Sequence, residues 1–172
     1  MSVLFIAALL TAAAAGSGAL WLDVPFVHQE ENGCGSAALA MIEGYWQDQG
    51  AKITDAPVDA ARIQRALYVP AQKGIPAEAM RSYLESQGFT AIAFSGEWED
   101  LAHHLALGRP LIVALKSPGG TLHYAVASGI SANWIALNDP ADRKLRKYDR
   151  AQFEKQWSGA GRWTLLAIPR EQ

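Results

Sequence analysis

A single cysteine, Cys34, stands among the 172 residues, so no disulfide can close within the chain and no cysteine-rich zinc site can be assembled. Basic clusters are also scarce. The net charge is −2, and the densest run, Arg143-Lys144-Leu145-Arg146-Lys147, reads as a solvated turn or strand edge. Nothing here calls for a nucleic-acid partner. No glycine-rich phosphate loop is present, because Gly119-Gly120 is followed by neither a lysine nor a helical run. Repeats, low-complexity tracts and internal linkers are missing too, which leaves one domain. Half of the residues are hydrophobic and 19% are charged, a balance that excludes disorder and supports a substantial core.

Charge is absent from Met1 to Leu22. Val3 to Ala15 is nearly all apolar, and Ser17-Gly18-Ala19 supplies the small-x-small boundary that signal peptidase needs. We therefore expect residues 1–19 to be a signal peptide or N-terminal anchor, and residues 20–172 to be the folded domain. Export to the periplasm or the extracellular space follows from that reading. No Lys or Arg precedes the apolar stretch, so retention as a membrane anchor, or burial as an ordinary helix, stays open. A lone thiol in an oxidising compartment is a hazard unless it is buried or used.

The periodicity predicts a helix over 34–49, where Ala37, Ala38, Met41, Ile42 and Tyr45 recur at three- and four-residue spacing before Gly50. Shorter helices are expected over 57–66, over 77–87 with Pro76 in the first turn, and over 97–107 with Ser95 as a cap. The character then changes. Leu111 to Leu115, Leu122 to Ile130, Trp134 to Leu137 and Trp163 to Ile168 read as strands, with a helix over 149–157 between the last two. Helices first and strands after imply an α+β fold, an N-terminal helical lobe packed on a C-terminal antiparallel sheet. Trp134 and Trp163 belong to the core on this reading, while Trp98 and Trp157 could border a groove.

Cys34 sits where a loop gives way to a helix. A thiol in a first helical turn lies beside unpaired N–H groups and the positive end of the helix dipole, and both favour thiolate. Acyl transfer by such a thiol needs a base, an orienter for the base, and donors for an oxyanion. His123 opens a strand after a glycine turn, a position that is rigid yet open to solvent. Asp139 follows the next strand. A hairpin turning through Ser131-Ala132-Asn133 brings its outer ends together and lets Asp139 approach the His123 ring. Gln29, just upstream of Cys34, could direct an amide donor to the same place. His103 and His104 point about 100° apart on a helix and share no metal well. His28 faces away from Gln29. No metal and no cofactor is implied. Chemistry and spacing alone leave Cys34 open as a small buried core residue, and Asp139 before Pro140 as a turn former.

Motifs add to this. Val24-Pro25-Phe26, then Gln29, then Cys34-Gly35-Ser36-Ala37-Ala38-Leu39-Ala40-Met41 resembles the nucleophile motif of the double-glycine leader peptidases. These are papain-like cysteine peptidases that process bacteriocin precursors, together with stand-alone relatives. Leu122-His123-Tyr124-Ala125-Val126 resembles their histidine motif and Asn138-Asp139-Pro140-Ala141 their aspartate motif, and the likeness runs from Leu22 to about Pro169. The resemblance implies a papain-like fold, Cys34 as nucleophile, His123 as base and then acid, Asp139 as orienter and Gln29 as oxyanion donor. It also implies a peptide or protein substrate. Ser36 departs from the proline common after Cys-Gly. No transporter segments or ATPase follow, so a stand-alone member is expected. Amidase or transpeptidase chemistry on the same residues, and a non-catalytic peptide-binding module, are the alternatives.

Overall fold

Strands that are apolar on both faces need cover on both sides, and that requirement organises the architecture. The computed structural model describes residues 18–53 and 57–170. Its elements are β1 (Leu20–Trp21), α1 (Cys34–Asp48), α2 (Ala60–Leu67), a 3-10 turn (Pro70–Gln72), α3 (Ala77–Ser86), β2 (Phe89–Ser95) and α4 (Trp98–Ala106). There follow β3 (Leu111–Lys116), β4 (Leu122–Ile130), β5 (Trp134–Asn138), β6 (Arg146–Asp149), α5 (Arg150–Gly159) and β7 (Trp163–Pro169). The strands form one sheet in the order β2-β7-β3-β4-β5-β6, antiparallel throughout. Beyond the start of β3, β1 takes over the same edge of β4, pairing Leu20 with Ile130 and Trp21 with Gly129.

Alternation along the central strands feeds two cores. Ile112, Ala114, Tyr124 and Val126 face α1, α2 and α3, whereas Leu111, Val113, Leu115, Ala125 and Ala127 face α4 and α5. The expected helical lobe against an antiparallel sheet is present as α1 to α3, and α4 with α5 covers the far side. Trp98 and Trp157 belong to that second core, not to a groove. Helix α1 is buried on nearly every side from Gly35 to Glu43, as suits a helix sandwiched between a sheet and two other helices. Even Glu43 is enclosed, and burial holds its carboxyl above the ordinary carboxylate range despite the nearby Tyr83 hydroxyl and Arg62 guanidinium.

Several local expectations shift. β2 and β6 are strands the sequence reading did not include. β2 is an edge strand with much of its length open to solvent, and β6 is a short charged edge. Ser95 does not cap α4. Glu97 does, in a reciprocal capping box with Asp100, while Ser95 Oγ donates to the Gly161 carbonyl. Asp59 delays the start of α2 to Ala60 by accepting from the Ala61 and Arg62 amides. The expectation for residues 1–19 falls almost wholly outside the described residues. Among the described residues no helix is long and apolar enough to cross a membrane.

One buried side chain ties the entry segment to the sheet. Asn138, fully buried, donates from Nδ2 to the Val24 carbonyl at 3.0 Å and accepts at Oδ1 from the Leu145 amide at 3.0 Å. Ser128 Oγ reaches the same oxygen at 3.3 Å. Replacing the amide by an apolar isostere leaves the buried Val24 carbonyl without a donor and removes the acceptor of the Leu145 N–H. Asn138→Leu is therefore expected to cost about 3 kcal/mol, read as a lower urea midpoint at unchanged slope. A loss below about 1 kcal/mol would show that water replaces these bonds.

Candidate active site

The segment ahead of α1 is shaped by close backbone approaches. The Gly33 amide donates to the Glu30 carbonyl at 2.9 Å, and Asn32 takes a left-handed conformation with φ 56°. A Cβ on Gly33 would lie 3.0 Å from the Glu30 carbonyl oxygen, so only glycine fits without a shift. Ser36 Oγ and the Ala37 amide both donate to the Gly33 carbonyl, which fixes the first turn. Cys34 is the first residue of α1 and stays partly exposed. Gly35 packs against Ile75, where a Cβ would sit 3.1 Å from the Ile75 side chain.

The Gln29 backbone N–H donates to the Pro140 carbonyl at 2.9 Å. That bond joins the loop before Cys34 to the loop after β5, so Gln29 and Asp139 are held by neighbouring backbone. His123, the second residue of β4, pairs with Leu115 of β3. The β4–β5 hairpin turns at Ser131, whose amide donates to the Trp134 carbonyl at 2.9 Å. Its outer ends meet as follows: His123 Nε2 lies 2.7 Å from Asp139 Oδ1. With Nε2 so engaged, Nδ1 is the ring nitrogen left to face the Cys34 sulfur, with which the ring is hydrogen-bonded. The structure thus gathers Cys34, His123 and Asp139, and sets Gln29 beside them.

Asp139 is only 3% exposed, and its oxygens are occupied. Oδ1 also accepts from the Ala141 amide at 3.1 Å, while Oδ2 accepts from the Tyr148 hydroxyl at 3.0 Å and from Arg146 Nη1 at 3.3 Å. The sequence reading missed Tyr148 and Arg146. Two residues apart on one strand, they share a face, and that spacing was the available signal once β6 is recognised.

Charge follows from these contacts. Burial alone would raise the Asp139 carboxyl, but the bonds from His123, Tyr148 and the Ala141 amide hold it below the usual carboxylate range. Burial would depress the His123 ring, yet its bonds to Asp139 and Cys34 carry it up to about 9. The Cys34 thiol is pushed up by burial and pulled down further by His123, with help from the Tyr124 and Gly35 N–H groups, so it ends below its ordinary value. Tyr124, buried beside that sulfur, is raised to about 12 and stays neutral. The thiol is lowered and the imidazole raised to about 9, so both shifts favour a thiolate–imidazolium pair over the neutral pair.

Two hollows flank this array. One of about 350 Å³ opens beside Gln29, between the starts of α1 and α2. Another of about 240 Å³ is lined by Leu115, His123, Asp139, Tyr148 and Gln156. Of the other histidines, only His28 borders either hollow. His28 is exposed near Phe26, with ring centroids 6.4 Å apart, and His103 and His104 occupy the last turn of α4. Among the described residues no three His, Cys, Asp or Glu side chains gather to hold a metal.

Helix-terminal thiols that meet a strand-borne imidazole belong, on α+β folds of this kind, to cysteine-type peptidases, and comparison with known proteins places the chain in that class. It belongs to the Peptidase_C39 like family, whose sequence model matches residues 21–164. The lactococcin-G-processing and transport ATP-binding protein of Lactococcus lactis is 31% identical over 136 residues, which is 76% of this chain. The chain spans only 17% of that relative's length. A C39-like peptidase from Bacillus anthracis has the same fold at a TM-score of 0.65 and 18% identity, covering 90% of this chain and 100% of that one. The peptidase domain of Streptococcus ComA, a bi-functional ABC transporter of a quorum-sensing pathway, gives 0.67 at 20% identity over 86% of this chain and 99% of its own. A double glycine motif protease from an AMS/PCAT transporter, solved with its leader peptide, gives 0.67 at 22% identity over 87% and 94%.

A lowered thiol pKa favours thiolate at Cys34 at a pH where an ordinary thiol stays protonated. At pH 6 a free thiol of pKa 8.5 is only about 0.3% thiolate. Iodoacetamide should therefore label Cys34 rapidly at pH 6, and His123→Ala should slow that labelling at least about tenfold while leaving much smaller differences near pH 9. Equal rates for the two proteins at pH 6, followed by mass spectrometry, would contradict the ion pair.

Proposed function

We propose that the protein hydrolyses peptide bonds with Cys34 as nucleophile, His123 as base and then acid, Asp139 as the residue that orients the ring, and Gln29 as an oxyanion donor. The observation that carries this reading is the 2.7 Å bond from His123 Nε2 to buried Asp139, with the ring's other edge on the Cys34 sulfur. The thiolate attacks the scissile carbonyl carbon, forming a C–S bond as the carbonyl electron pair moves onto oxygen. The Gln29 amide and the Cys34 N–H, unpaired at the helix start, receive that oxyanion. His123 gives its proton to the leaving nitrogen as the C–N bond breaks. The ring then takes a proton from water, hydroxide attacks the thioester, and thiolate departs. A peptide ligand is supported by the related double glycine protease, which was solved with a leader peptide bound.

Export is part of the same proposal, supported by the uncharged apolar stretch and the Ser17-Gly18-Ala19 boundary. Intact-mass analysis of the protein recovered from its native host should give a chain beginning at Leu20. A mass that retains Met1 to Ala19 would instead favour the anchor.

Cys34→Ala is expected to remove hydrolysis of a peptide library entirely. Gln29→Ala should lower kcat by roughly 10²–10³-fold, as loss of one oxyanion donor does. Alkylation of Cys34 at pH 6 should survive in Gln29→Ala, since the amide is not what ionises the thiol. Full turnover in purified Cys34→Ala protein would end the reading.

A further inference from the structure

Asp139 carries more bonds than holding one ring requires, and the surplus falls on its second oxygen. A carboxylate plane turns about a broad Cβ–Cγ torsion, so donors on one oxygen alone leave it free to swing. Oδ1 takes the His123 ring at 2.7 Å and the Ala141 amide at 3.1 Å. Oδ2 therefore decides whether the plane is fixed, and two side chains of β6 donate to it. They are not equivalent. Tyr148 is 4% exposed, with its ring packed in the second core and its backbone paired with Ile135. Its hydroxyl, 3.0 Å from Oδ2, has little room to move. Arg146 is partly exposed, stands 3.3 Å from Oδ2 and lies closer, at 3.0 Å, to Asp142, with its guanidinium over the Tyr148 ring. A long side chain shared between two carboxylates and open to solvent is the weaker clamp. Burial and the neighbouring Asp139 both raise the Tyr148 hydroxyl, so it stays a donor throughout the neutral and acid range.

We propose that Tyr148 is a positioning residue of the reaction: its hydroxyl fixes the Asp139 carboxylate, and through it the His123 ring, in the orientation that faces the Cys34 sulfur. The proposal rests on the hydrolase reading above and adds to it a fourth side chain that acts only through Asp139. The titratable and charged groups around this array are His123 and Tyr124 from β4, Tyr148 and Arg146 from β6, Asp142 from the loop after β5, and Cys34 from α1. Without the Tyr148 donor the carboxylate swings and is easier to protonate. Either change weakens the imidazolium that stabilises the thiolate. The pH at which thiolate is lost on acidification must then rise.

Tyr148→Phe removes the hydroxyl but keeps the ring that fills the core, and its urea midpoint reports the fold. Its kcat on a cleaved library peptide should fall about tenfold with KM within about twofold, as loss of one bond to a charged group allows. Labelling of Cys34 by iodoacetamide should fall away on acidification at a pH about one unit higher than in the wild-type protein. Arg146→Gln should do less on both counts. In the Asp139→Asn background Tyr148→Phe should shift the labelling profile no further, since its effect passes through the carboxylate. The role would be overturned by an unmoved profile in Tyr148→Phe, by an equal or larger shift in Arg146→Gln, or by a second full shift in the Asp139→Asn background. A lowered urea midpoint with an unmoved profile would mark the bond as structural only and overturn it too. A shifted profile in Tyr148→Phe, with no peptide cleaved by either protein, would keep the role and sink the hydrolase. Cleavage at equal rates by both proteins, with coincident profiles, would do the reverse.

Discussion

A carboxylate almost wholly removed from water must be surrounded by donors, and much of this molecule is arranged around meeting that demand at Asp139. The four donors come from three pieces of chain: His123 from β4, Tyr148 and Arg146 from β6, and the Ala141 amide from the loop itself. Satisfying the carboxylate therefore fixes how β4, β5 and β6 end relative to one another. The same contacts keep it ionised, and an ionised Asp139 is what makes a charged imidazole tolerable in a half-buried position. The thiol's pKa is lowered through that chain. Local electrostatics and strand register are here one constraint seen from two sides.

The thiol is steadied by a different device. α1 is held on nearly every side, so its first turn cannot drift without disturbing the larger of the two cores. The turn ahead of it is held by Gly33 and Ser36, and the Gln29 loop is pinned to the loop that carries Asp139. The loop ahead of α1 and the loop after β5 thus meet through a backbone hydrogen bond at the cleft, a stiffer joint than side-chain packing alone would give.

Much of this was readable in advance, and the gaps have physical causes. β4 was read with its observed bounds because a largely apolar stretch, centred on Ala125-Val126-Ala127, follows a glycine turn. The approach of His123 to Asp139 followed from the hairpin through Ser131 and Asn133, since strand geometry alone sets where its ends fall. β6 escaped because it is a four-residue charged edge entered through Leu145 at φ 56°, a turn that no composition signal marks. β2 escaped because it is an edge strand with much of its length facing water, and its apolar run, Ala91 to Phe94, is only four residues long and half alanine. That Gln29 and Gln64 line one hollow is a product of α2 packing beside α1. Periodicity within a helix says nothing of what two helices enclose between them.

The way the chain enters the sheet has a practical side. Leu20 pairs with Ile130, at the end of β4 remote from His123, and seven residues of strand at about 3.3 Å each put roughly 23 Å between that entry point and the ring. From there the polypeptide runs back alongside the sheet until it delivers Gln29 and Cys34. Anything attached ahead of Leu20, whether a bead, a carrier or a lipid bilayer, would thus hold the protein by its far pole, with the mouth of the cleft turned outward toward arriving peptides.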